Sequence, residues 1–231
     1  MSLLLSLLLL AQDVQGPLVD TPRVAANCAA DRSVEALLCR ATVDANAGRH
    51  VEAARAFEEA APMSDADRER RARIELAAAN MWLAANRPGD ADKAIGRALD
   101  FDLYLSPIQR GLARIDRARA VLAMGEVELA IGHLEEAEVF AAADPFLWYM
   151  KSSLLLDSGR VAEARVALDK GLELAEDAPE LLLLAGHVAM AEGDEAQAKA
   201  YWETAAERTD HPSGRAAAEA LARDTQEEPN S

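Results

Sequence analysis

The chain has few of the residues that build sheets and nucleic-acid interfaces. Among its 231 residues are 10 aromatics, 5 Ile and 2 Cys, against 51 Ala and 31 Leu. Ala and Leu favour helices whereas β-branched and aromatic residues favour strands, so the composition argues against an all-β fold and predicts an all-α protein. Its 40 acidic and 24 basic side chains give a net charge of −16, which repels a phosphate backbone. With no concentrated basic patch to offset that charge, we expect no nucleic-acid partner.

The sequence also lacks the arrangements that carry catalysis. Its four histidines are far apart, and none has a metal-ligating residue four positions later. There is no GxxxxGK[ST] phosphate loop, no GxGxxG and no GxSxG. We therefore predict a protein that is not an enzyme and that uses no metal or cofactor.

The N-terminus carries an apolar segment over residues 1–11, which is too short to span a membrane because a spanning helix needs roughly 20 residues. Seven of its first ten residues are Leu, as in the centre of a secretory signal, although no Lys or Arg precedes them. This indicates export to the periplasm or cell envelope, with a cytoplasmic protein as the alternative. In that alternative the segment folds onto the first helix pair.

Two further terminal regions lack helical periodicity. Residues 12–32 are rich in small polar residues, Gly and Pro and are predicted to be a linker, and residues 224–231 are predicted to be a disordered tail.

Cys28 and Cys39 match no zinc-binding pattern. They form a possible disulfide if the chain is exported, or two reduced buried thiols if it is not.

A repeat occupies most of the remaining chain. Gly125, Gly159 and Gly193 recur at intervals of 34 residues, each between two helical patterns. Small, large and small residues follow at offsets of five, nine and twelve, namely Ala130, Leu134 and Ala137, then Ala164, Leu168 and Gly171, then Ala198, Trp202 and Ala205. Small residues at this spacing allow two helices to approach closely, so each glycine is predicted to join an antiparallel helix pair.

This pattern resembles the tetratricopeptide repeat, a 34-residue helix–turn–helix with an aromatic residue in its first helix and a proline at its boundary. The fourth unit, DPFLWYMKSSLLLDSGRVAEARVALDKGLELAEDAP, matches best, with Trp148 and Gly159 in the expected places. The resemblance implies a right-handed α-solenoid of about five helical hairpins over residues 33–223. Residues 213–223 are expected to form its C-terminal capping helix.

The pattern loosens towards the N-terminus. The first unit keeps the three offsets after Gly48. In the second unit the pattern after Gly89 fits only three residues early, at Ala91, Ile95 and Ala98. The register of the second unit therefore stays open at this point.

The resemblance also implies where a partner binds. The family uses a concave groove formed by the fifth, ninth and twelfth residues of each first helix, with the turn glycine counted as the fifteenth. On this basis a groove that binds a protein or peptide is predicted to include Asn80, Arg119, Tyr149, Ser153 and His187. Arg119 would suit a partner carboxylate. Alternatively, these side chains bond neighbouring helices and only stabilise the stack.

Two arginine clusters are predicted to form surface ion pairs. They are Arg68, Arg70, Arg71 and Arg73, which are expected to pair with the acidic residues that alternate with them along the first turns of one helix, and Arg110, Arg114 and Arg117, which follow one helix face.

The predicted function is non-catalytic binding of a peptide segment or partner protein, without a membrane span. Two alternatives stay open: a self-associating structural scaffold of the cell envelope, and a cytoplasmic adaptor of the same fold.

Overall fold

The computed structural model describes residues 28–227, which form helices and turns without any strand. They divide into two compact units, residues 28–141 and 142–227. The first unit contains α1 to α6, at Val34–Asn46, His50–Ala60, Arg68–Ala84, Pro88–Leu99, Pro107–Ala123 and Val127–Ala141. The second unit contains α7 to α11, at Pro145–Asp157, Val161–Leu174, Pro179–Glu192, Glu195–Ala206 and Pro212–Glu227. The predicted all-α fold of five hairpins and a capping helix is confirmed.

Local signals start the longer helices. The Asp67 carboxylate accepts a hydrogen bond from the backbone N–H of Arg70 and so caps α3. Ser106 and Gln109 form a reciprocal capping box at α5. These caps satisfy backbone N–H groups that have no partner within the helix.

Each hairpin turns at one residue with a positive φ. Four of these residues are glycines, with φ between 73° and 88°: Gly48, Gly125, Gly159 and Gly193. In the second hairpin the residue is Asn86, with φ 55°, the one non-glycine residue of the described chain in this conformation. Asn tolerates the left-handed region because its short polar side chain can bond locally.

Asn86 resolves the register of the second unit. Gly89 lies in the first turn of α4 and takes no part in the turn. Counted from Asn86, the small, large and small residues Ala91, Ile95 and Ala98 stand at the regular offsets of five, nine and twelve, and all three are buried. The second unit therefore differs from the others in its turn residue, while its small, large and small residues keep their regular packed positions.

The spacing of the turns differs along the chain. Asn86 stands 38 residues after Gly48 and 39 before Gly125, whereas Gly193 follows Gly159 by 34. A 3₁₀ turn lies in each of the two longer intervals, at Pro62–Ser64 before α3 and at Asp102–Tyr104 before α5. The insertions lengthen the connections between hairpins and leave each hairpin intact.

Glycine allows close packing in the second unit. A Cβ at Gly186 of α9 would lie 2.1 Å from Nε1 of Trp202, the large residue of α10. A Cβ at Gly171 of α8 would lie 2.9 Å from Leu181 Cδ2. A side chain at Gly186 would overlap the Trp202 ring, whereas one at Gly171 would have to displace the end of the Leu181 side chain.

The segment before α1 is tied to that helix. Cys28 and Cys39 are joined by a disulfide with an S–S distance of 2.01 Å and a Cα–Cα distance of 5.6 Å. Arg40 Nη1 donates hydrogen bonds to the carbonyl oxygens of Ala29, at 2.8 Å, and Asp31, at 3.0 Å. Residues 28–32, the described part of the predicted linker, thus pack on α1.

The C-terminal helix α11 packs on the last hairpin, where Ala217 and Ala220 are buried in one cluster with Trp202. It continues to Glu227, four residues past the boundary predicted at 223. The signal-like segment 1–11, residues 12–27 of the linker and the last four residues of the tail lie outside the described residues.

Candidate protein-interaction surface

One polar residue recurs at the ninth position of every first helix, counted with the turn residue as the fifteenth. In the second hairpin, where Asn86 is the turn residue, the ninth position is Asn80, as predicted. In the first hairpin, where Gly48 is the turn residue, it is Thr42 of α1, which the sequence prediction left out. We call these residues the polar row: Thr42, Asn80 and Arg119 in the first unit, and Ser153 and His187 in the second. The rule that finds Thr42 was already present in the sequence, because Gly48 marks its turn.

In the first unit the polar row reaches solvent. Asn80 is exposed between the half-buried Leu76 and Leu83. Arg119 keeps 30% of its side chain exposed, and its Nη1 donates a hydrogen bond to Asp116 Oδ1 at 2.8 Å. Burial raises the pKa of the Asp116 carboxyl, while the nearby Arg119 charge opposes that shift. Arg119 is therefore partly committed to its own helix.

An open cleft lies between α1 and α3, and Thr42 is the residue of the polar row that lines it. It has a volume of about 580 Å³. We call it the α1–α3 cleft; its lining comprises the apolar Leu38, Phe57, Ile74 and Ala77, the polar Thr42, and the charged Asp67, Glu69, Arg70 and Arg73. An apolar floor with charged side chains around it can hold an apolar group and bind a polar one beside it.

In the second unit two predicted groove residues are buried. Ser153 is 1% exposed and Tyr149 is 8% exposed. Burial, together with the charges of Glu180 and Asp157, raises the pKa of Tyr149 to about 12. The Tyr149 ring also stacks on Phe146, with ring centroids 6.3 Å apart. As positioned, both side chains belong to the core of the second unit, because residues of other helices cover them.

His187 is half-buried and packs edge-on against Trp202, with ring centroids 5.4 Å apart. Burial lowers the pKa of His187, and the charge of Arg223 lowers it further. Its contact with Trp202 matches the alternative interpretation, in which the polar row stabilises the stack.

Two arginines of the second cluster form ion pairs, whereas Arg110 Nε donates instead to the backbone carbonyl oxygens of Asp102 and Leu105. Arg117 Nε lies 2.8 Å from Asp92 Oδ1. Arg114 Nη2 lies 3.5 Å from Asp102 Oδ2, and its Nε lies 3.6 Å from Glu136 Oε2. Arg114 and Arg117 thus connect α5 to α4, to α6 and to the 3₁₀ turn before α5.

Within residues 28–227 no three His, Cys, Asp or Glu side chains come together in a way that would hold a metal ion. None of the helices in that range is both long enough and apolar enough to cross a bilayer.

The hairpins, their turn residues and the packed offsets define the class: an α-helical repeat protein. Residues 147–177, in the fourth hairpin, match the family model of the tetratricopeptide repeat. No curated protein matches the sequence.

Solved structures share the fold at low sequence identity. MamA is 16% identical, with a TM-score of 0.65 over 77% of this chain and 92% of MamA. PilF of Pseudomonas aeruginosa is 19% identical, with a TM-score of 0.65 over 80% of each chain. YrrB, described as a TPR protein with an unusual peptide-binding site, is 14% identical, with a TM-score of 0.63 over 88% of this chain and all of YrrB. The chain therefore shares its fold with these structures, and residues 147–177 match the tetratricopeptide repeat.

Proposed function

We propose that this chain is a non-catalytic module that binds a peptide segment of a partner protein along its first helices, mainly through the first unit. The observation that carries this proposal is the open α1–α3 cleft, which is lined by the exposed Thr42 of the polar row. In the second unit, by contrast, Tyr149 and Ser153 are covered. The peptide-binding site named for YrrB is consistent with such a use of the fold.

Capture of partners from the native host by the full chain tests this proposal through Arg119. We expect Arg119→Ala to weaken capture while the thermal midpoint stays nearly unchanged, because its pair with Asp116 is partly exposed. Lys93→Ala on α4 is the matched control, since its side chain is 70% exposed and lies away from the polar row. Loss of folding in Arg119→Ala, with capture intact in the folded fraction, would show that the polar row is structural.

The scaffold alternative makes a different prediction about size. A self-associating scaffold stays oligomeric on dilution, whereas a peptide-binding module has no such requirement. Light scattering over a dilution series separates the two, and a mass that stays at several chains throughout would favour the scaffold.

We further propose that the chain works outside the cytoplasm, in the periplasm or cell envelope. The Cys28–Cys39 disulfide supports this, because such bonds persist in oxidising compartments and are rare in the cytosol. Alkylation and mass spectrometry of protein from its native compartment should find no free thiol. Two free thiols together with an intact N-terminus would favour the cytoplasmic adaptor.

A further inference from the structure

The two ends of the described chain are held in different ways. At the C-terminal end, α11 is a helix with Ala217 and Ala220 buried in one cluster with Trp202. At the other end, residues 28–33 precede α1 without forming a helix. We call these residues the N-terminal strap. None of the six is buried, so apolar packing does not fix the strap in place.

One disulfide and several hydrogen bonds of exposed side chains hold the strap on the first hairpin. The disulfide joins Cys28 of the strap to Cys39 of α1. Arg40 donates two hydrogen bonds to carbonyl oxygens of the strap, and Arg32 Nε donates to Glu59 Oε1 of α2 at 2.8 Å. The Arg32 side chain is 81% exposed. Exposed polar contacts contribute little to stability, so the disulfide is the main restraint on the strap.

α1 itself has few buried residues. They are three of its 13, namely Ala36, Leu37 and Ala41. In α9, by comparison, eight of 14 residues are buried. A helix with few buried contacts opens at a lower local free energy than the rest of a protein. The covalent link to the strap therefore has a large share in keeping α1 ordered.

The disulfide lies where another thiol can approach it. Both cysteines are half-buried, and Cys28 lines an open pocket of about 410 Å³ together with the exposed Ala29 and Ala30. Thiol–disulfide exchange requires that a thiolate reach one of the two sulfurs. The pocket provides such an approach to the Cys28 side of the bond.

We propose that the Cys28–Cys39 disulfide is a redox switch that determines whether α1 is ordered, and with it the α1 side of the α1–α3 cleft. The reductant is a dithiol. Its first thiolate attacks Cys28 Sγ and releases the Cys39 thiolate, and its second thiolate then displaces Cys28. The S–S bond of the protein breaks, the two sulfurs of the dithiol join, and two electrons and two protons pass to the two cysteines.

The switch connects the cleft to the redox state of the compartment. Leu38 and Thr42 of α1 line the α1–α3 cleft, and Leu38 directly precedes Cys39. In reducing surroundings the released α1 no longer supplies this side of the cleft, whereas in an oxidising compartment the bond persists and the cleft is complete. The inference names the regulation of the site in the proposed function, and it rests on that function for its effect on binding.

Hydrogen exchange followed by mass spectrometry tests the switch on the full chain without any partner. The oxidised chain is compared with the chain reduced by dithiothreitol at the same pH, and then with the chain reoxidised by glutathione disulfide. Alkylation counts the free thiols in each sample. A variant with Cys28→Ser and Cys39→Ser cannot form the bond. Arg40→Gln is the matched control, because it removes hydrogen bonds to the strap and keeps the disulfide.

Reduction should raise the exchange rates of the α1 amides by roughly 30- to 100-fold, as expected when a cross-link between residues 11 positions apart is lost. Exchange in α9 should change by less than about twofold, because each hairpin of a repeat protein depends on its neighbours. Reoxidation should restore the protection of α1. The doubly substituted variant should match the reduced chain with and without dithiothreitol, and Arg40→Gln should raise α1 exchange by about fivefold at most.

Four results would overturn the inference. Equal α1 exchange in the oxidised and reduced chains means that the bond does not control the helix. A bond that dithiothreitol reduces only in denaturant has sulfurs that no reductant reaches. An equal rise in α1 and α9 means that the bond stabilises the whole fold and not one helix. Protection that reoxidation does not restore means that the bond forms once, during folding.

None of these results bears on the proposed function, since no partner takes part in the exchange measurement. Conversely, absence of any captured partner, with α1 responding to reduction as expected, would count against the proposed function and leave the redox control of α1 standing.

Discussion

The two units use the same hairpin but differ in how regularly it repeats. In the second unit the turns keep the 34-residue spacing, and glycine allows close contact between helices, as between Gly186 and Trp202. In the first unit, 3₁₀ turns lengthen the spacing, and charged groups such as Arg97 and Glu75 connect the helices. The family model matches residues 147–177, in the regular unit. Regular repetition thus marks the family, whereas the irregular unit holds the open cleft.

The largest expected effect is on the ion-pair network of the first unit. Glu75 is 2% exposed, and Arg97 donates to it at 2.9 Å and to Glu58 at 2.5 Å. Burial disfavours the charged Arg97, yet its bonds to both glutamates outweigh this and raise the pKa of the guanidinium. Arg97→Ala leaves the Glu75 carboxylate buried without its partner and should lower the free energy of unfolding by about 3 kcal/mol, measured in urea.

A paired replacement separates the charge from the packing. Arg97→Met together with Glu75→Leu removes both charges and should restore most of the lost stability, as expected when apolar residues replace a buried ion pair. Should Arg97→Ala cost no more than Lys93→Ala, the first unit does not depend on charged connections.

The counterpart in the second unit is Gly186. Gly186→Ala places a methyl group against the buried Trp202 ring. The Nε1–H of this ring donates a hydrogen bond to the Leu183 carbonyl oxygen at 3.2 Å. Overpacking should outweigh the gain in helix propensity and lower stability by about 2 kcal/mol. Gly132→Ala in α6 meets no atom within 4 Å and should stabilise the protein by about 0.5–1 kcal/mol, measured by the same unfolding curves. Equal effects of the two substitutions would contradict the close contact.

A smaller effect is expected at the turn that distinguishes the second hairpin. Asn86→Ala keeps the positive φ of 55° but removes the side chain that tolerates it, at a cost of about 1 kcal/mol. Asn86→Gly should be neutral or slightly stabilising, because glycine adopts this conformation without strain. Thermal unfolding of both variants checks this, and a loss in Asn86→Gly as large as in Asn86→Ala would mean that the Asn side chain, not the backbone, matters.

These residues also explain how far the sequence predicts the structure. The hairpins and most of their turns follow from local signals, since the offsets after Gly125, Gly159 and Gly193 reflect helix geometry alone. The turn at Asn86 is hidden because Gly89, three residues later, is the stronger sequence signal. For Ser153 and Tyr149, burial is decided by residues of other helices, which a count along one helix does not contain.

The candidate site shows the same limit. The polar row is predictable from the repeat, but the α1–α3 cleft needs the positions of two hairpins and cannot be found from spacing. Arg70 illustrates this, because it was expected to pair within its own helix and instead pairs with Glu35 of α1. Partners that are distant in sequence depend on packing, which the insertion at Pro62–Ser64 alters.

The smallest expected effect is on how the stability of each unit depends on pH. His133 of the first unit is 7% exposed, and among the described residues neither of its ring nitrogens has a hydrogen-bond partner. Burial lowers the pKa of His133 below its ordinary value of 6.5, Arg117 of α5 lowers it further, and Glu136 and Asp92 partly oppose this. The folded chain therefore binds a proton less readily than the unfolded chain.

Because the unfolded chain takes up the His133 proton first, the free energy of unfolding is highest above pH 6.5 as far as His133 is concerned. It declines as the pH falls towards the lowered pKa, and below that pKa His133 causes no further change. Hydrogen exchange followed by mass spectrometry at pH 7.5 and 5.5, corrected for intrinsic rates, should show α6 losing protection at the lower pH. His133→Gln should remove this loss in α6. His187→Gln should act on α9 instead, because His187 belongs to the second unit and its pKa is lowered by burial there. If His133→Gln leaves the pH dependence of α6 unchanged, another group is responsible, and the buried imidazole has no part in how the first unit responds to acid.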